Sequence, residues 1–447
     1  MPRRISAHTP HNAVRTARIP RRLLWTVCFL SAALCVWQLA VYKGACMNMG
    51  DAYSYYGAYD HLRHLQLDDI RPPVYPLFYG IMYAIFGHTF CAIGLCATQW
   101  AIYAGTMLLV WDICMSLRLS RMIGSAVVLA YFLFPCFWCY NNVCLPESLS
   151  GCLLVALLWS CARYHETHRK AYLWGGAALL LILIFTKPMF VSLIPVMALW
   201  WAAVAAEAPR HHRRRAILTA AMLVAATSLP VMVYAMALRE KTGVTMLAKS
   251  TLLNRYATLR MAGIISPAGE TQRPDITGVW QELSAQTPAQ ISAAIDSASA
   301  GRTGEVGRAY LRQFMTAAHS PHFEILCDRD GTPLDPREYP GWTETLPGWY
   351  LYPFHGAFAR FPVWAGLALG AIFIILWGLR GPKPLRRNLM APLTALAYFT
   401  LTFCAMAGAP NDWGRILIPV SSRLPIMAGA SVAYLTTPRK PRHHANG

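Results

Sequence analysis

Long apolar runs separated by short polar segments dominate the sequence of this 447-residue chain. Several runs exceed the roughly 20 apolar residues that a helix needs to cross a hydrocarbon core about 30 Å thick. The pattern predicts an all-α polytopic membrane protein with about ten transmembrane helices, each of them continuous. The predicted spans lie at about 23–42, 90–116, 122–140, 148–164, 171–185, 188–206, 216–237, 361–379, 388–407 and 416–435.

Charge follows the same division of the chain. Only 14% of the residues are charged, compared with about 25% in a typical soluble domain. The positive-inside rule places the basic connections, and both termini with them, on the cytoplasmic side. The membrane topology thus explains the net charge of +19. The basic residues are spread over short blocks between the apolar runs, and this distribution argues against a nucleic-acid partner. The basic connections are residues 1–22, 118–121, 163–170, 209–215, 380–387 and 438–444.

The acidic connections face outward in this topology, and one of them is long. Within it, "GVWQELSAQTPAQISAAIDSASA" and "GEVGRAYLRQFMTAAH" have helical spacing of apolar residues. They predict a small, mostly helical domain on the outer membrane face. The predicted organisation is a basic cytoplasmic segment (1–22), a seven-helix catalytic module (23–238), the outward loop domain (239–360), three C-terminal transmembrane helices (361–436) and a basic cytoplasmic tail (437–447).

The first outward connection, after residue 42, has an unusual composition. Asp51 is followed by Ala52, Tyr55, Tyr59, Leu62 and Leu65 at helical spacing, which favours an amphipathic helix lying in the interface. Arg71-Pro72-Pro73 is expected to end that helix, because proline disfavours helix in the residue before it. The following "VYPLFYGIMYAIFG" then returns to the membrane.

A carboxylate in such a partly dry position has its pKa raised by desolvation, which suits Asp51 to act as a general base. An equally simple interpretation is an acid at the start of a helix, where the macrodipole favours negative charge. The three later aspartates of this connection are expected on its solvated side: Asp60, Asp68 and Asp69.

"GDAYSYYGAYDHL" and "IRPPVYPLFYGIMYAIFG" resemble the first outward loop of the GT-C membrane glycosyltransferases. Within that superfamily they are most similar to the branch of protein O-mannosyltransferases and the lipid A aminoarabinose transferase. "PESLSGCLLVALLW" at 146–159 and "TKPMFVSLIPVM" at 186–197 resemble further pieces, in the same order. The resemblance covers about residues 1–240, and the later part is matched only loosely, through "GRILIPVSSRLP".

The resemblance implies an inverting glycosyltransferase that uses a polyprenyl-phosphate-linked sugar as donor. Asp51 corresponds to the base that activates the hydroxyl of a glycan, lipid or protein acceptor. Glu147 corresponds to an acid that orients the acceptor or the donor, although a glutamate in an interfacial proline turn needs no such role. The resemblance implies no cofactor, and it suggests a bacterial inner membrane with the active site on the periplasmic face.

A phosphate leaving group gains negative charge in the transition state, so interfacial cations would stabilise it. Outward cations are therefore candidates for donor binding, although snorkelling to lipid headgroups explains them equally well. Arg423 lies inside the last span, where arginine is costly and usually functional. The donor-binding candidates are Arg71, Lys187, Arg360, Arg415 and Arg423, with Tyr55 beside them.

Two alternatives stay open. A transporter or flippase for a lipid-linked or anionic substrate would explain the cations, but transporters usually break their spans at mid-membrane. A divalent metal is the second alternative, although neither histidine pair has a specific metal-ligand spacing. Its candidate ligands are His61 with His64, and His319 with His322, Glu324 and Asp328.

Overall fold

The computed structural model describes residues 19–41, 51–133, 137–266, 276–319, 363–381, 389–408 and 413–436. All regular elements in these ranges are helical, which confirms the predicted all-α class. The first eight helices are α1 (Arg21–Val41), α2 (Ala52–Arg63), α3 (Val74–Ser116), α4 (Arg121–Leu133), α5 (Glu147–Thr167), α6 (Lys170–Thr186), α7 (Leu193–Glu207) and α8 (Arg213–Thr242). They are followed by α9 (Lys249–Met261), α10 (Ile276–Ser284), α11 (Pro288–Ser299), α12 (Thr303–Ala318), α13 (Val363–Arg380), α14 (Met390–Gly408), α15 (Trp413–Ser421) and α16 (Leu424–Thr436).

Seven helical segments of the described chain are long and apolar enough to cross a membrane. The chain therefore has the character of a multi-pass membrane protein. The other three predicted spans correspond to α4, α5 and α6, of which α4 is only 13 residues long. The seven candidates are Arg21–Ala40, Val74–Ser116, Pro188–Glu207, Arg213–Thr242, Val363–Arg380, Met390–Gly408 and Ile416–Thr436.

The second predicted span differs from the observed helix. α3 begins at Val74 rather than near residue 90, and its 43 residues would extend about 65 Å if straight. Gly87 divides it, because this residue has φ 67° and ψ 175°, a combination that is essentially restricted to glycine. The part before Gly87 packs against α2, and the part after it enters the bundle.

Replacing Gly87 by alanine should destabilise the protein by about 1–3 kcal/mol, because a Cβ is strained at this backbone conformation. Space is not the cause, since an added Cβ would meet no atom within 4 Å. The matched control is Gly57→Ala in α2, where a Cβ also meets nothing and the backbone is helical. That change should stabilise the protein by about 0.5–1 kcal/mol. SDS titration in mixed micelles measures both, and equal effects of the two changes would contradict the prediction.

The bundle core is rich in aromatic side chains and also contains buried hydrogen bonds. Trp100, Trp111, Trp138 and Trp201 are buried among the helices. Gln38 of α1 accepts a hydrogen bond from Trp100 Nε1 at 2.7 Å, which ties α1 to α3. The outer surfaces of α1, α8 and α13 carry exposed large apolar side chains, as expected of helices that face lipid: Trp25, Phe29, Met232, Val233, Ile372 and Ile375.

The last predicted span is interrupted, contrary to the expectation of continuous spans. α15 ends at Ser421 and α16 begins at Leu424, with Ser422 and Arg423 in a turn between them. Pro419 and Pro425 flank the turn and cannot donate backbone hydrogen bonds. Within the turn, the carbonyl of Ser422 accepts a hydrogen bond from the Tyr131 hydroxyl of α4.

The segment predicted to face outward folds around a small core of its own. α9 to α12 bury Tyr256, Leu259, Val279 and Ile291 against one another. α10 to α12 match the helical segments predicted in the long loop, whereas α9 was not predicted. Arg260 pairs with Glu282 at 3.1 Å inside this unit. Burial raises the pKa of Tyr256, and its hydrogen bond to Glu282 raises this pKa further. Residues 320–360 of the predicted domain lie outside the described part of the chain.

The α9–α12 unit lies at the end of the bundle that carries Asp51, which we call the Asp51 end. The backbone N–H of Lys249 donates to the Asp69 carbonyl at 2.5 Å. Lys241, near the end of α8, donates to the Leu67 carbonyl at 2.6 Å. The connection between α2 and α3 is therefore fastened to both α8 and the unit that follows it.

Candidate functional site

The helix that follows Asp51 lies against the start of α3. The predicted face is confirmed at Ala52 and Tyr55, which are buried, whereas Leu65 is almost fully exposed. Gly80 allows the close approach, because a Cβ there would lie 1.9 Å from the Tyr59 ring. The helix ends at Arg63, well before the Arg71-Pro72-Pro73 motif that was expected to end it. The chain reverses instead at Leu65, which takes the left-handed φ of 56°.

Asp68 organises the connection that follows. Its Oδ1 accepts hydrogen bonds from the backbone N–H groups of Ile70 at 2.8 Å and Arg71 at 2.6 Å. Its Oδ2 lies 2.8 Å from His61 Nδ1. The side chain is buried, so the expectation that Asp68 belongs to the solvated side is wrong, while Asp60 is exposed as expected. Asp68 positions the backbone of Arg71.

Arg71 connects this organised loop to Asp51. One of its Nη atoms lies 2.7 Å from Asp51 Oδ1, and its Nε donates to Ser54 Oγ at 2.7 Å. Its guanidinium also lies over the Tyr55 ring, 4.6 Å from the centroid, a cation–π geometry. The Arg71 side chain is 15% exposed and that of Asp51 is 35% exposed. Sequence reasoning considered desolvation alone, whereas the adjacent guanidinium favours the ionised carboxylate.

The simpler interpretation of Asp51 was an acid at a helix start. Asp51 does occupy the N-cap position of α2, but its side chain makes no capping hydrogen bond to the described backbone of that helix. Its backbone carbonyl accepts from the Ser54 N–H and hydroxyl, so the carboxylate is left directed at Arg71. The structure thus brings together three of the predicted site residues: Asp51, Tyr55 and Arg71.

Asp68→Ala should lower the free energy of unfolding by about 2–4 kcal/mol, because it leaves two N–H groups without their charged acceptor. Both N–H groups, those of Ile70 and Arg71, are only partly buried, and removing the acceptor also frees the Arg71 backbone that Asp68 holds. SDS titration in mixed micelles measures the loss. Asp69→Ala is the control, since the contact of Asp69 with Lys249 uses its carbonyl rather than its side chain. Equal losses in both variants would refute the role assigned to the Asp68 carboxylate.

A second ion pair joins Glu147 and Lys187. Glu147 Oε1 lies 3.0 Å from Lys187 Nζ, with the two side chains 2% and 15% exposed. Glu147 is the first residue of α5, where the helix dipole favours negative charge. Lys187 follows α6 in an extended conformation, held by the 3₁₀ turn Pro188–Ser192. The tight turn fixes the lysine, which the sequence suggested.

The two ion pairs are connected by aromatic side chains. The Tyr55 ring lies 5.0 Å from that of Tyr75, centroid to centroid. The side chains of Tyr56 and Tyr75 interact with the Cys144 thiol, three residues before Glu147. Glu147 in turn lines a small cavity of about 20 Å³, room for one water molecule. Its other polar lining includes Ser148, Tyr131, Cys152 and Ser422.

Arg423 lies apart from these pairs. It is fully buried, and none of its side-chain nitrogens has a hydrogen-bond partner in the described residues. Its guanidinium interacts electrostatically with the side chains of Tyr131, Tyr398 and Cys161. Tyr131 also lines the cavity next to Glu147, whereas Cys161 is fourteen residues beyond Glu147 on α5, a distance of about 21 Å along the helix. The side chain of Arg415, the remaining candidate, and all of Arg360 lie outside the described part of the chain.

Sequence reasoning missed a polar cluster at the opposite end of the bundle. Trp159 Nε1 donates to Asp112 at 2.8 Å, and Arg163 pairs with Glu166 at 2.7 Å and with Asp112 at 3.7 Å. Ser116 donates to the other Glu166 oxygen at 2.5 Å. The signal was available, because Asp112 is an acid inside an apolar run. These contacts join the ends of α3 and α5.

The histidines considered as metal ligands have other partners. His61 is hydrogen-bonded to Asp68, and His64 Nδ1 lies 2.9 Å from the Asp60 carbonyl. Among the described residues, no group of three or more side chains is arranged to hold a metal ion. The second set of candidates, from His322 to Asp328, lies outside those residues.

Comparison of the chain with known protein families and with curated proteins finds no match. The functional interpretation therefore rests on the site itself and on the sequence resemblance.

Proposed function

We propose that the protein is a GT-C-type glycosyltransferase that moves a sugar from a polyprenyl phosphate to an acceptor hydroxyl. The reaction would take place at the Asp51 end, on the periplasmic face of a bacterial inner membrane. The observation that carries the proposal is the Asp51–Arg71 pair, a partly exposed carboxylate held by a guanidinium at a helix start. A base at this position needs to be ionised, accessible and fixed in direction, and the pair supports all three requirements.

In the proposed reaction, the Asp51 carboxylate takes the proton of the acceptor hydroxyl. The acceptor oxygen attacks the anomeric carbon, and the bond between that carbon and the phosphate oxygen breaks on the opposite side. The electron pair leaves with the polyprenyl phosphate, so the product has inverted configuration. Arg71 keeps Asp51 in place, and the positive charge of its guanidinium suits an anionic donor.

The Glu147–Lys187 pair has a supporting part in this scheme. Lys187 is 15% exposed, so its ammonium can contact the leaving phosphate, while the buried Glu147 holds the lysine in position. Cations fixed before the reaction stabilise developing negative charge without reorganisation. The acceptor is a glycan, a lipid or a protein hydroxyl, and no cofactor takes part.

The test is transfer by the purified protein in nanodiscs, supplied with a polyprenyl phosphate that carries a radiolabelled sugar. Candidate acceptors are a membrane lipid fraction, a periplasmic glycan fraction and a protein fraction. Label that moves into an acceptor and depends on the protein would support the proposal. Donor that is bound but left intact in every fraction would exclude transfer.

A transporter or flippase is the second candidate, and the interrupted last span favours it. The break places a fully buried arginine between α15 and α16, as in transporters that bind anions at broken helices. Proteoliposomes loaded with the same labelled donor separate the two functions. A flippase would move the intact donor across the bilayer without changing it, whereas a transferase would consume it.

A further inference from the structure

Helix α12 of the α9–α12 unit packs against the membrane helix α14. Gln313 Nε2 donates to the Met406 carbonyl of α14 at 3.1 Å. Phe314 packs on Phe403 of the same helix, with ring centroids 5.4 Å apart. Phe403 is itself 53% exposed, on a helix that is apolar and long enough to cross a membrane. α12 therefore meets α14 next to a surface that faces lipid.

The exposed side chains of α12 form an ordered sequence around the helix. A helix turns by about 100° per residue. Measured around the helix axis from Phe314, Leu311 therefore comes first, at about 60°, and is followed by Met315, then Arg308, and finally Arg312. Leu311 and Met315 are 57% and 50% exposed, and the two arginines are exposed as well. The apolar pair thus lies on the side of Phe403, and the basic pair lies farther from it.

We propose that α12 is a lipid-binding helix that rests the outward unit on the bilayer surface next to α14. Leu311 and Met315 contact the acyl chains at the edge of the hydrocarbon region. Arg308 and Arg312 contact the phosphates of anionic headgroups.

Two observations favour lipid over a protein as the occupant of this face. The apolar side chains lie next to the exposed surface of α14, because Phe314 of α12 packs on Phe403 of α14. The arginines lie on the next face of the helix, where long basic side chains reach headgroups from an interfacial position. On α12 the apolar side chains lie nearer to the membrane helix and the basic ones lie farther away. An interface with another protein would not require this order.

The test places the photocrosslinking residue p-benzoylphenylalanine at Leu311 or at Met315 of the full-length protein, in nanodiscs that contain phosphatidylglycerol. The matched control carries it at Ser297 of α11, which is also exposed and lies on a helix that packs on α9. Mass spectrometry after irradiation should find lipid adducts at 311 and 315 in several-fold higher yield than at 297. Equal yields at the three positions would overturn the proposal, as would crosslinks from 311 and 315 mainly to protein, whether to another copy or to residues 320–362.

The arginines have a separate test. In the protein with the crosslinker at 315, Arg308→Gln with Arg312→Gln should lower the yield of phosphatidylglycerol adducts several-fold. Nanodiscs made only of phosphatidylcholine should show a much smaller effect of the same changes. An equal effect in both lipids would overturn the assignment of these arginines to anionic headgroups. Neither experiment depends on sugar transfer, so both test the lipid-binding proposal independently of the proposed glycosyltransferase function.

Discussion

Asp51→Asn should lower the rate of sugar transfer by about 100- to 10,000-fold, the usual contribution of a positioned general base. The amide has nearly the size of the carboxylate and can still accept a hydrogen bond from Arg71 through its oxygen. It cannot take the proton of an acceptor hydroxyl at neutral pH. The protein should therefore remain folded and monodisperse in detergent while transfer from the labelled donor is lost.

Asp60→Asn is the matched control, because it makes the same chemical change nine residues further on, in the same helix. Asp60 is exposed, and its nearest cation is Arg63 at 3.9 Å. Transfer by this variant should equal that of the unchanged protein. If the Asp51→Asn protein transfers sugar at the full rate, the base is another residue. If the Asp51→Asn protein misfolds, Asp51 has a structural role.

Glu147→Gln should destabilise the protein by about 3–5 kcal/mol, because it leaves the Lys187 ammonium without its counter-charge in a largely buried site. Lys187→Met should destabilise the protein to a similar extent, because it leaves the Glu147 carboxylate without its cation. The double variant removes both charges and should recover most of the lost stability, since a buried pair is often replaceable by neutral side chains. SDS titration of the four proteins in mixed micelles gives the coupling energy directly.

The same four proteins also separate a structural role of the pair from a role in transfer. The double variant should be stable yet deficient in transfer, if Lys187 contacts the leaving phosphate as proposed. Recovery of both stability and transfer in the double variant would restrict the pair to holding α5 and α6 together. The exposed pair of Arg302 and Glu305 serves as control, and its removal should change neither property.

The local features of the site were predictable from the sequence. The spacing of Ala52 and Tyr55 indicated the buried face of α2, because a helix on an apolar surface requires that periodicity. The apolar runs indicated most of the membrane helices, because a helix that crosses the hydrocarbon core needs a long apolar stretch. The short connection "FTKP" also indicated that Lys187 has little freedom of position, and the structure places it at the end of α6.

The partners of these residues were not predictable, because they depend on tertiary contacts. Arg71 reaches Asp51 only because the chain reverses at Leu65, in a conformation that non-glycine residues seldom adopt. Glu147 and Lys187 are forty residues apart and meet through the packing of α5 on α6. The break at Ser422 and Arg423 was missed because averaged hydropathy is insensitive to the two prolines that flank it.

The attachment of the loop between α2 and α3 has a practical consequence for chimeric proteins. That loop positions Arg71, and it is held from outside by Lys241 and by the backbone of Lys249. An exchange of the α9–α12 unit that starts before Lys249 replaces the backbone that makes the latter contact, so a unit that places this N–H elsewhere would impair Asp51 without touching it. Grafts designed to alter specificity should therefore join after Lys249, which retains both attachments in the recipient.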